Sequence, residues 1–334
     1  MGQIGSVYPP SGNLMASMKS FGLRGGFVNA LQPTLVGRTW YVLGNTDPLL
    51  GPNVNGVGSD SNNGLSPLTP LLTIARALAL CDSFDVIVLM GVFREQVVCP
   101  VGPYDVTVIG ASNQPRQCTS GGVYTGGGAS WLAPTSPVAT TPLIRVISQG
   151  WTFQNIQFAP VAASACITFD RRETAAIPDS SHGSVQGCYF TTGGAGGIGV
   201  EIIECKKIFI KDCTFEALTG AGGLGIKTTA GAGIANPSFC EVQRNKFAQN
   251  TGDMDLAGMD RGLITDNNLF TSDVILAGTR LKLSGGNGFN HVLNNNFSDI
   301  AASVTIAKGY TPGTSDVWRN WTTNTNVPIV TVPS

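Results

Sequence analysis

Charged residues and histidine are scarce in this sequence. Asp, Glu, Lys and Arg make up 12% of its 334 residues, against about 25% in an average globular protein, and there are two histidines. The formal net charge is −1, and no stretch interleaves basic with aromatic residues, so we expect no nucleic-acid partner. The shortage of acid and base groups also leaves few ways to build a catalytic centre.

Targeting and metal-binding patterns are missing as well. No run of residues approaches the roughly 20 continuous apolar positions of a membrane span, and the first residues lack the charged start and apolar block of a signal peptide. The eight cysteines include no CxxC pair, which disfavours zinc and redox motifs. We therefore expect no membrane partner, no secretion by a signal peptide, and folding in a cytoplasm with reduced thiols.

The second half of the sequence repeats a short phrase: an aliphatic residue, a polar corner and a closing Phe. The phrase occurs at residues 153–158, 185–190, 210–215, 242–247, 265–270 and 292–297. A repeat of this length, with strand-like residues on both sides of the corner, predicts a solenoid of β-strands with one coil per repeat. At roughly 24 residues per coil, we expect on the order of nine coils between Val101 and Trp321.

The repeat also predicts which side chains fill the solenoid. Asn245, Asn268 and Asn295 share one phase, two residues before the Phe, which predicts a structural asparagine ladder at the corner. Cys188 and Cys213 occupy this phase in earlier repeats and are expected to be core thiols, with a disulfide between stacked cysteines left open. The closing aromatic residues should stack inside as a second ladder: Phe158, Phe190, Phe215, Phe247, Phe270 and Phe297.

A different pattern precedes the repeats. Thr73 is the expected N-cap of a helix, and Asp60 is expected to cap a turn in an Asn- and Gly-rich loop. The predicted elements are a strand at residues 40–43, a turn at 60–67, a helix at 74–80, and strands at 86–90 and 106–110.

This order resembles the opening of right-handed parallel β-helix proteins of the pectate-lyase-like superfamily. The match is close over residues 39–112, with Phe93 where the family usually has Tyr, and continues as the weaker repeat to about Trp321. The resemblance implies an all-β fold: a right-handed parallel β-helix solenoid at residues 39–322, with an N-terminal capping helix. Residues 1–38 are then an N-terminal arm or cap, and residues 323–334 an extended C-terminal tail. It says little about activity, because this fold hosts lyases, hydrolases, adhesins and viral spikes.

Catalytic candidates are few. The Gly-His-Gly phrase that the resemblance would lead one to expect in a polygalacturonase-like hydrolase does not occur. The best carboxylate cluster is Asp253, Asp255 and Asp260. Asp253 and Asp255 alternate, so on a strand both should point to one face, about 7 Å apart. Such a pair could hold Ca²⁺ or support glycoside cleavage; the alternative is a solvent-facing strand before a turn. No other cofactor is expected.

Binding candidates come from the loops between repeats. Trp131, in a Gly-, Ser- and Pro-rich segment, is the best candidate to be exposed and stack on a sugar ring, ahead of Tyr124 and Trp151. Arg171 and Arg172, in a charged insertion, are candidates for an intersubunit ion pair, or simply for a solvated loop. Insertions in a solenoid often emerge on one face, where binding occurs.

Weighing these observations, the sequence favours a non-catalytic structural component of a virus particle. The expected class is a bacteriophage capsid-decoration or tail/spike protein, located in the virion after assembly in the host cytoplasm. Its expected partners are other virion proteins, a possible surface glycan and, from the resemblance to viral β-helices, two further copies in a homotrimer. The alternatives are a polysaccharide lyase or glycoside hydrolase acting on host glycans, and a non-catalytic glycan-binding module.

Overall fold

The computed structural model describes a winding chain of short parallel strands with one helix. The residues that it describes are 37–44, 58–111, 117–118, 124–125, 128–171, 180–191, 194–229, 236–270, 280–284, 289–298, 317–322 and 328–329. From Arg38 on, these residues belong to one compact unit. The predicted N-terminal arm and most of the C-terminal tail lie outside the described residues, so both stay predictions.

Three faces, each a stack of parallel strands in register, make up the solenoid. Strands β2, β24 and β25 continue from the first face into the second. The first face contains β1 (Thr39–Leu43), β2 (Val86–Phe93), β4 (Thr107–Gly110), β9 (Thr152–Gln154), β12 (Ser184–Gln186), β15 (Phe209–Lys211), β18 (Glu241–Gln243), β21 (Leu263–Thr265), β24 (His291–Ser298) and β25 (Val317–Thr322). The second face adds β7 (Ala129–Leu132), β10 (Ile156–Ala159), β13 (Tyr189–Phe190), β16 (Thr214–Glu216), β19 (Lys246–Ala248) and β22 (Asn268–Phe270).

The third face is a separate seven-stranded parallel sheet. It contains β3 (Val97–Val98), β8 (Ile144–Val146), β11 (Ala165–Asp170), β14 (Ile198–Ile203), β17 (Leu224–Thr229), β20 (Gly252–Ala257) and β23 (Leu281–Ser284). The remaining strands are antiparallel: β5 (Gln117–Cys118) pairs with β6 (Tyr124–Thr125), and β26 (Pro328–Ile329) pairs with β25. This strand order confirms the predicted all-β, parallel β-helix architecture. Within the described residues, eight first-face strands follow Val101, against the nine or so coils expected.

The helix α1 (Ile74–Leu80) lies at the N-terminal end, where it packs against β1. Thr73 accepts the N–H of Arg76 at 3.1 Å, which confirms it as the N-cap. The Glu95 carboxylate accepts the first two helical N–H groups, each at 3.0 Å. Burial raises the pKa of Glu95, and these two hydrogen bonds oppose the rise. Asp60 accepts the N–H groups of residues 72 and 73, so its predicted role as a turn cap is confirmed.

Aromatic rings stack along the interior, as the repeat predicts. Ring centroids lie 5.2 Å apart between Phe158 and Phe190, 4.6 Å between Phe190 and Phe215, and 4.9 Å between Phe215 and Phe247. Each fully buried ring contributes on the order of 2–3 kcal/mol from burial. The assignment of Phe270 to this ladder is wrong, because the strand register aligns Leu269, not Phe270, with Phe247.

The predicted asparagine ladder is present, but it contains Asn267 in place of Asn268. Asn245, Asn267, Asn295 and Asn320 are buried, and each amide oxygen from Asn267 to Asn320 accepts both the N–H and the side-chain amide of the preceding Asn. The prediction of Asn268 is wrong, since that side chain is exposed and aligned with Lys246. Both errors have one cause. Closing the phrase at Phe270 instead of Leu269 shifts the register by one residue, which exchanges the inner and outer positions of a strand.

The same corner column contains thiols in earlier coils. Cys188 and Cys213 are buried and form no disulfide, which confirms them as core residues. Burial raises the pKa of the Cys213 thiol well above its ordinary value, so it is a poor nucleophile. The residue before the column has a left-handed backbone in several coils, with φ of 54° at Asn155, 56° at Asp212 and 58° at Asp266.

Candidate functional site

A polar cleft lies on the outer side of the third face. It encloses about 370 Å³, within the range of ligand pockets. Strands β8, β11, β14 and β17 form its floor with Arg145, Thr168, Glu201 and Lys227. These side chains point outward because they alternate with fully buried ones such as Ile167 and Phe169. The strands therefore fix the positions of the polar groups.

Strand register aligns the floor residues in a single row. Arg145 pairs with Thr168, Thr168 with Glu201, and Glu201 with Lys227. Beyond the cleft, the row continues through Asp255 and Lys282. We call these six residues the charge row. Neighbouring positions lie one strand spacing apart, about 4.8 Å, so opposite charges on adjacent coils meet.

Each charge in the cleft has a partner of opposite sign. The Lys227 ammonium lies 3.0 Å from Glu201 Oε1, which also accepts the Thr229 hydroxyl at 3.3 Å. The Arg145 guanidinium lies 3.0 Å from Asp170 Oδ2, and the Asp170 side chain is 1% exposed. Asp170 is the last residue of β11. The four charges sum to zero, and their positions are set before any ligand arrives.

Two loops form the walls of the cleft, residues 140–142 and 163–165. Thr140 has φ of +60°, an uncommon backbone for a β-branched residue. Strain of this kind is concentrated at ligand-binding and catalytic sites. The walls supply methyl and methylene groups from Pro142 and Ala165, so the cleft combines a polar floor with apolar sides.

The proposed catalytic carboxylates are not brought together. The expectation that Asp253 and Asp255 point to one face is wrong, because Asp253 is fully buried and followed by the equally buried Met254. The Asp253 carboxylate lies inside the solenoid, 3.2 Å from the buried Arg280 guanidinium and 3.1 Å from the Asn250 amide. Burial raises the pKa of Asp253 to about 6, and Arg280 and Asn250 oppose the rise.

The other two members of that cluster are separate surface residues. Asp255 lies in the charge row, 3.0 Å from the Lys282 ammonium. Asp260 lies at a corner after β20, 3.9 Å from the Arg261 guanidinium. Within the described ranges, no group of three or more His, Cys, Asp or Glu side chains is arranged to hold a metal ion, so the carboxylates named for Ca²⁺ do not form that site.

The residues that the sequence suggested for binding a glycan or a second subunit do not all lie where they were expected. The prediction that Trp131 is exposed in a loop is wrong: it lies in β7 with 1% exposure, and its indole N–H donates to the carbonyl of Glu95 at 2.9 Å. Trp151 is also buried. Arg171 follows β11 directly and is half-buried. Arg172 and the side chain of Tyr124 lie outside the described residues, so the intersubunit ion pair stays a prediction.

Sequence reasoning missed the charge row, although the signal is present. Five of the seven third-face strands carry a charged residue between two apolar or β-branched ones, and its sign alternates along these five strands. The triplets are Ile-Arg-Val at 144–146, Val-Glu-Ile at 200–202, Ile-Lys-Thr at 226–228, Met-Asp-Leu at 254–256 and Leu-Lys-Leu at 281–283.

No family model and no curated protein matches the chain. Similar solved structures include an alginate lyase from Paenibacillus sp. str. FPU-7, with 15% identity, 73% of this chain and 94% of that chain covered, and a TM-score of 0.45. A pectin methylesterase from Aspergillus niger has 16% identity, 84% and 88% coverage, and a TM-score of 0.44. A tailspike protein of E. coli bacteriophage HK620 has 14% identity, 87% and 60% coverage, and a TM-score of 0.42.

These likenesses are remote, and no activity is drawn from them. The expected resemblance to parallel β-helix proteins holds at the level of fold, which the strand order itself establishes. Among the described residues, no helix has the length and apolarity needed to cross a membrane.

Proposed function

We propose that this chain is a non-catalytic structural component of a virus particle, of the bacteriophage capsid-decoration or tail/spike class, which binds a neutral glycan in the third-face cleft. The observation that carries the glycan part is the neutralised polar floor, with Lys227 3.0 Å from Glu201 and Arg145 3.0 Å from Asp170.

A neutral, hydroxyl-rich ligand suits this floor. A charged ligand would have to separate an ion pair before it could bind, whereas sugar hydroxyls can donate to the carboxylates and accept from the cations while both pairs persist. Hydrogen bonds to charged groups contribute about 1.5–3 kcal/mol each. The Thr168 hydroxyl lies in the middle of the row and offers a further donor and acceptor.

The same ion pairs support binding without cleavage. Hydrolysis or elimination at a sugar needs a carboxyl or a cation that can exchange a proton with the substrate. In the cleft, Glu201 and Asp170 are both held by cations, and the remaining candidates, Asp253 and Asp255, lie elsewhere. The described residues therefore supply contacts for a sugar but no positioned acid–base pair.

The virion part of the proposal is supported by the low charge content and by the continuous internal stack. A rigid solenoid with a ladder in its interior suits a passive role in a particle, in which it would contact other virion proteins as a homotrimer. Immunolabelling of particles from cells that produce this chain tests this part. Label on the assembled particle supports it, and label confined to the soluble fraction contradicts it.

The glycan part is tested by titrating a panel of neutral oligosaccharides into the protein by calorimetry. We expect at least one to bind without release of a smaller product, and Glu201→Gln to weaken that binding by about tenfold, or 1.4 kcal/mol. Asp255→Asn is the matched control, because Asp255 makes the same 3.0 Å pair in the same row but does not line the cleft. Product release, or equal losses in both variants, would contradict the proposal.

A further inference from the structure

A second exposed column of side chains lies at the corner between the third and first faces. Its members are Lys207, Phe239, Arg261 and Phe289, each two residues before a first-face strand. Backbone hydrogen bonds from Lys207 to Ser238 and from Phe239 to Asp260 link successive coils at this corner. We call the four residues the corner ridge.

The ridge side chains are exposed to solvent, and Arg261 lies beside both aromatic rings. Phe239 is 44% exposed and Phe289 is 48% exposed. The Arg261 guanidinium lies 5.4 Å from the ring centre of Phe239 and 5.9 Å from that of Phe289. The ridge is therefore an ordered alternation of cation and aromatic ring, and nearly half of each ring is exposed.

The backbone conformation of the corner ridge is unusual for Phe. All four ridge residues are left-handed, with φ between 51° and 64°. The opposite corner of the same four coils is also left-handed, and it uses Asp212, Arg244, Asp266 and Asn294. Asp and Asn tolerate this conformation, whereas a bulky Phe is an outlier in it. Two Phe residues at one corner thus indicate that the side chains, and not the turn, determine the sequence there.

The cations of this corner also differ from those of the charge row. Within the described part of the chain, no carboxylate forms an ion pair with Lys206 or Lys207. Arg261 has only the long 3.9 Å contact to Asp260. By contrast, Lys227 and Lys282 each lie 3.0 Å from a carboxylate. The ridge therefore has positive charge left over for a ligand.

We propose that the corner ridge is a binding site for an anionic glycan, a sugar chain that carries carboxylate or sulfate groups and lies along the solenoid axis. Lys207 and Arg261 bind the anionic groups, and Phe239 and Phe289 contact the apolar faces of the sugar rings. The site is separate from the third-face cleft and does not rest on the function proposed for it.

A single-stranded nucleic acid is disfavoured by the same features. Such binding relies on successive bases stacking on a series of aromatic rings, and the ridge has two rings separated by a guanidinium. A polyphosphate backbone also needs an extended positive field, and the chain has a net charge of −1. A few cations beside apolar rings suit a ligand of lower charge density.

The test is a set of titrations on the full chain with hexagalacturonate, a sulfated hexasaccharide, neutral cellohexaose and a dT12 oligonucleotide. We expect at least one acidic hexasaccharide to bind, with affinity reduced about tenfold in the variant with both Lys207→Ala and Arg261→Ala. Phe239→Leu with Phe289→Leu should weaken binding while the charges remain.

Arg244→Ala is the matched control, because Arg244 is an exposed cation at the opposite left-handed corner. Circular dichroism checks that each variant is folded. The proposal is overturned by failure of both acidic probes to bind, by equal losses in the ridge and Arg244 variants, or by tighter binding of dT12. Glu201→Gln should leave acidic-glycan binding unchanged, so failure at the ridge and failure at the cleft are distinguishable.

Discussion

Early and late coils of this solenoid fill the same interior positions with different chemistry. At the corner column the early coils have Cys188 and Cys213, and the late ones have Asn267 and Asn295. The Cys213 thiol lies 3.5 Å from the carbonyl of residue 185, and the Asn267 amide donates to the carbonyl of residue 242 at 2.9 Å. One backbone geometry is thus stabilised by packing in one half and by hydrogen bonds in the other.

A second interior column shows how the two halves adjust to one another. Gly199 and Gly225 leave room for rings of the next coil, since a Cβ at either position would lie 2.7 Å from Phe215 or Phe247. In the next coil, the position of Gly225 is taken by Asp253, whose neighbour Met254 pairs with Ile226. In the coil that follows Asp253, the stacked residue is the smaller Leu269. The aromatic ladder is interrupted at the coil where an ion pair enters the core.

Breaking that ion pair should have the largest effect. Asp253→Ala leaves the buried Arg280 guanidinium without its carboxylate, so we expect a loss of about 3–5 kcal/mol in the free energy of unfolding. Urea denaturation measures it. The double variant Asp253→Leu with Arg280→Met removes both charges and should recover most of the loss. A double variant no more stable than the single one would show that the pair is not the source of the effect.

Interrupting the amide column should cost somewhat less. Asn267→Leu removes an acceptor for the N–H and amide of Asn245 and a donor to the carbonyl of residue 242. We expect about 3 kcal/mol lower stability by urea denaturation, because buried polar partners are left unsatisfied. The adjacent Asn268→Leu is the control, since Asn268 is exposed. It should change stability by less than about 0.5 kcal/mol, and equal losses would contradict the revised register.

Raising the pH should weaken the late coils through Asp253. Its pKa is about 6 in the folded chain and about 3.9 when unfolded. Between these values the folded state binds more protons, so this contribution to stability is complete below pH ~4 and is lost as pH rises through ~6. The complete loss is of the order of 3 kcal/mol. Comparing urea midpoints of wild type and Asp253→Asn at pH 4.5 and 7 isolates it; identical pH slopes would contradict the assignment.

Extending the amide column into the early half should have the smallest effect. Cys213→Asn places an amide where it can donate to the carbonyl of residue 185, as the thiol does now. Because the corner geometry is already that of the late coils, we expect a change within about 1 kcal/mol of wild type. Thermal unfolding tests this. A loss above about 2 kcal/mol would mean that the two halves require their own chemistry.

Much of the fold could be predicted from the sequence because it depends on local patterns. Thr73 is a capping residue that is recognised from its immediate neighbours, and the Phe phrase reports strand periodicity. The error at Leu269 arose where one coil closes with an aliphatic residue followed by Phe, so the pattern alone offered two registers. The surrounding coils decide between them.

The candidate sites were harder to predict, because they depend on contacts across coils. Asp253 and Asp255 look equivalent in the sequence, yet Asp253 is fully buried beside Arg280 and Asp255 pairs with Lys282 at the surface. The pairing of Arg145 with Asp170 joins residues whose proximity follows only from the stacking of β8 on β11. The sequence around Phe239 and Phe289 looks like that of an ordinary loop, so it does not predict the left-handed φ of these two residues.

Because the corners of successive coils stack in register, the chain can change its length by whole repeats. Each coil contacts mainly the coils before and after it, so a duplication or loss of one complete repeat would rejoin matching corners and lengthen or shorten the molecule by about 4.8 Å. Insertion or deletion of whole repeats would therefore change the length of the solenoid while leaving the packing of its core unchanged.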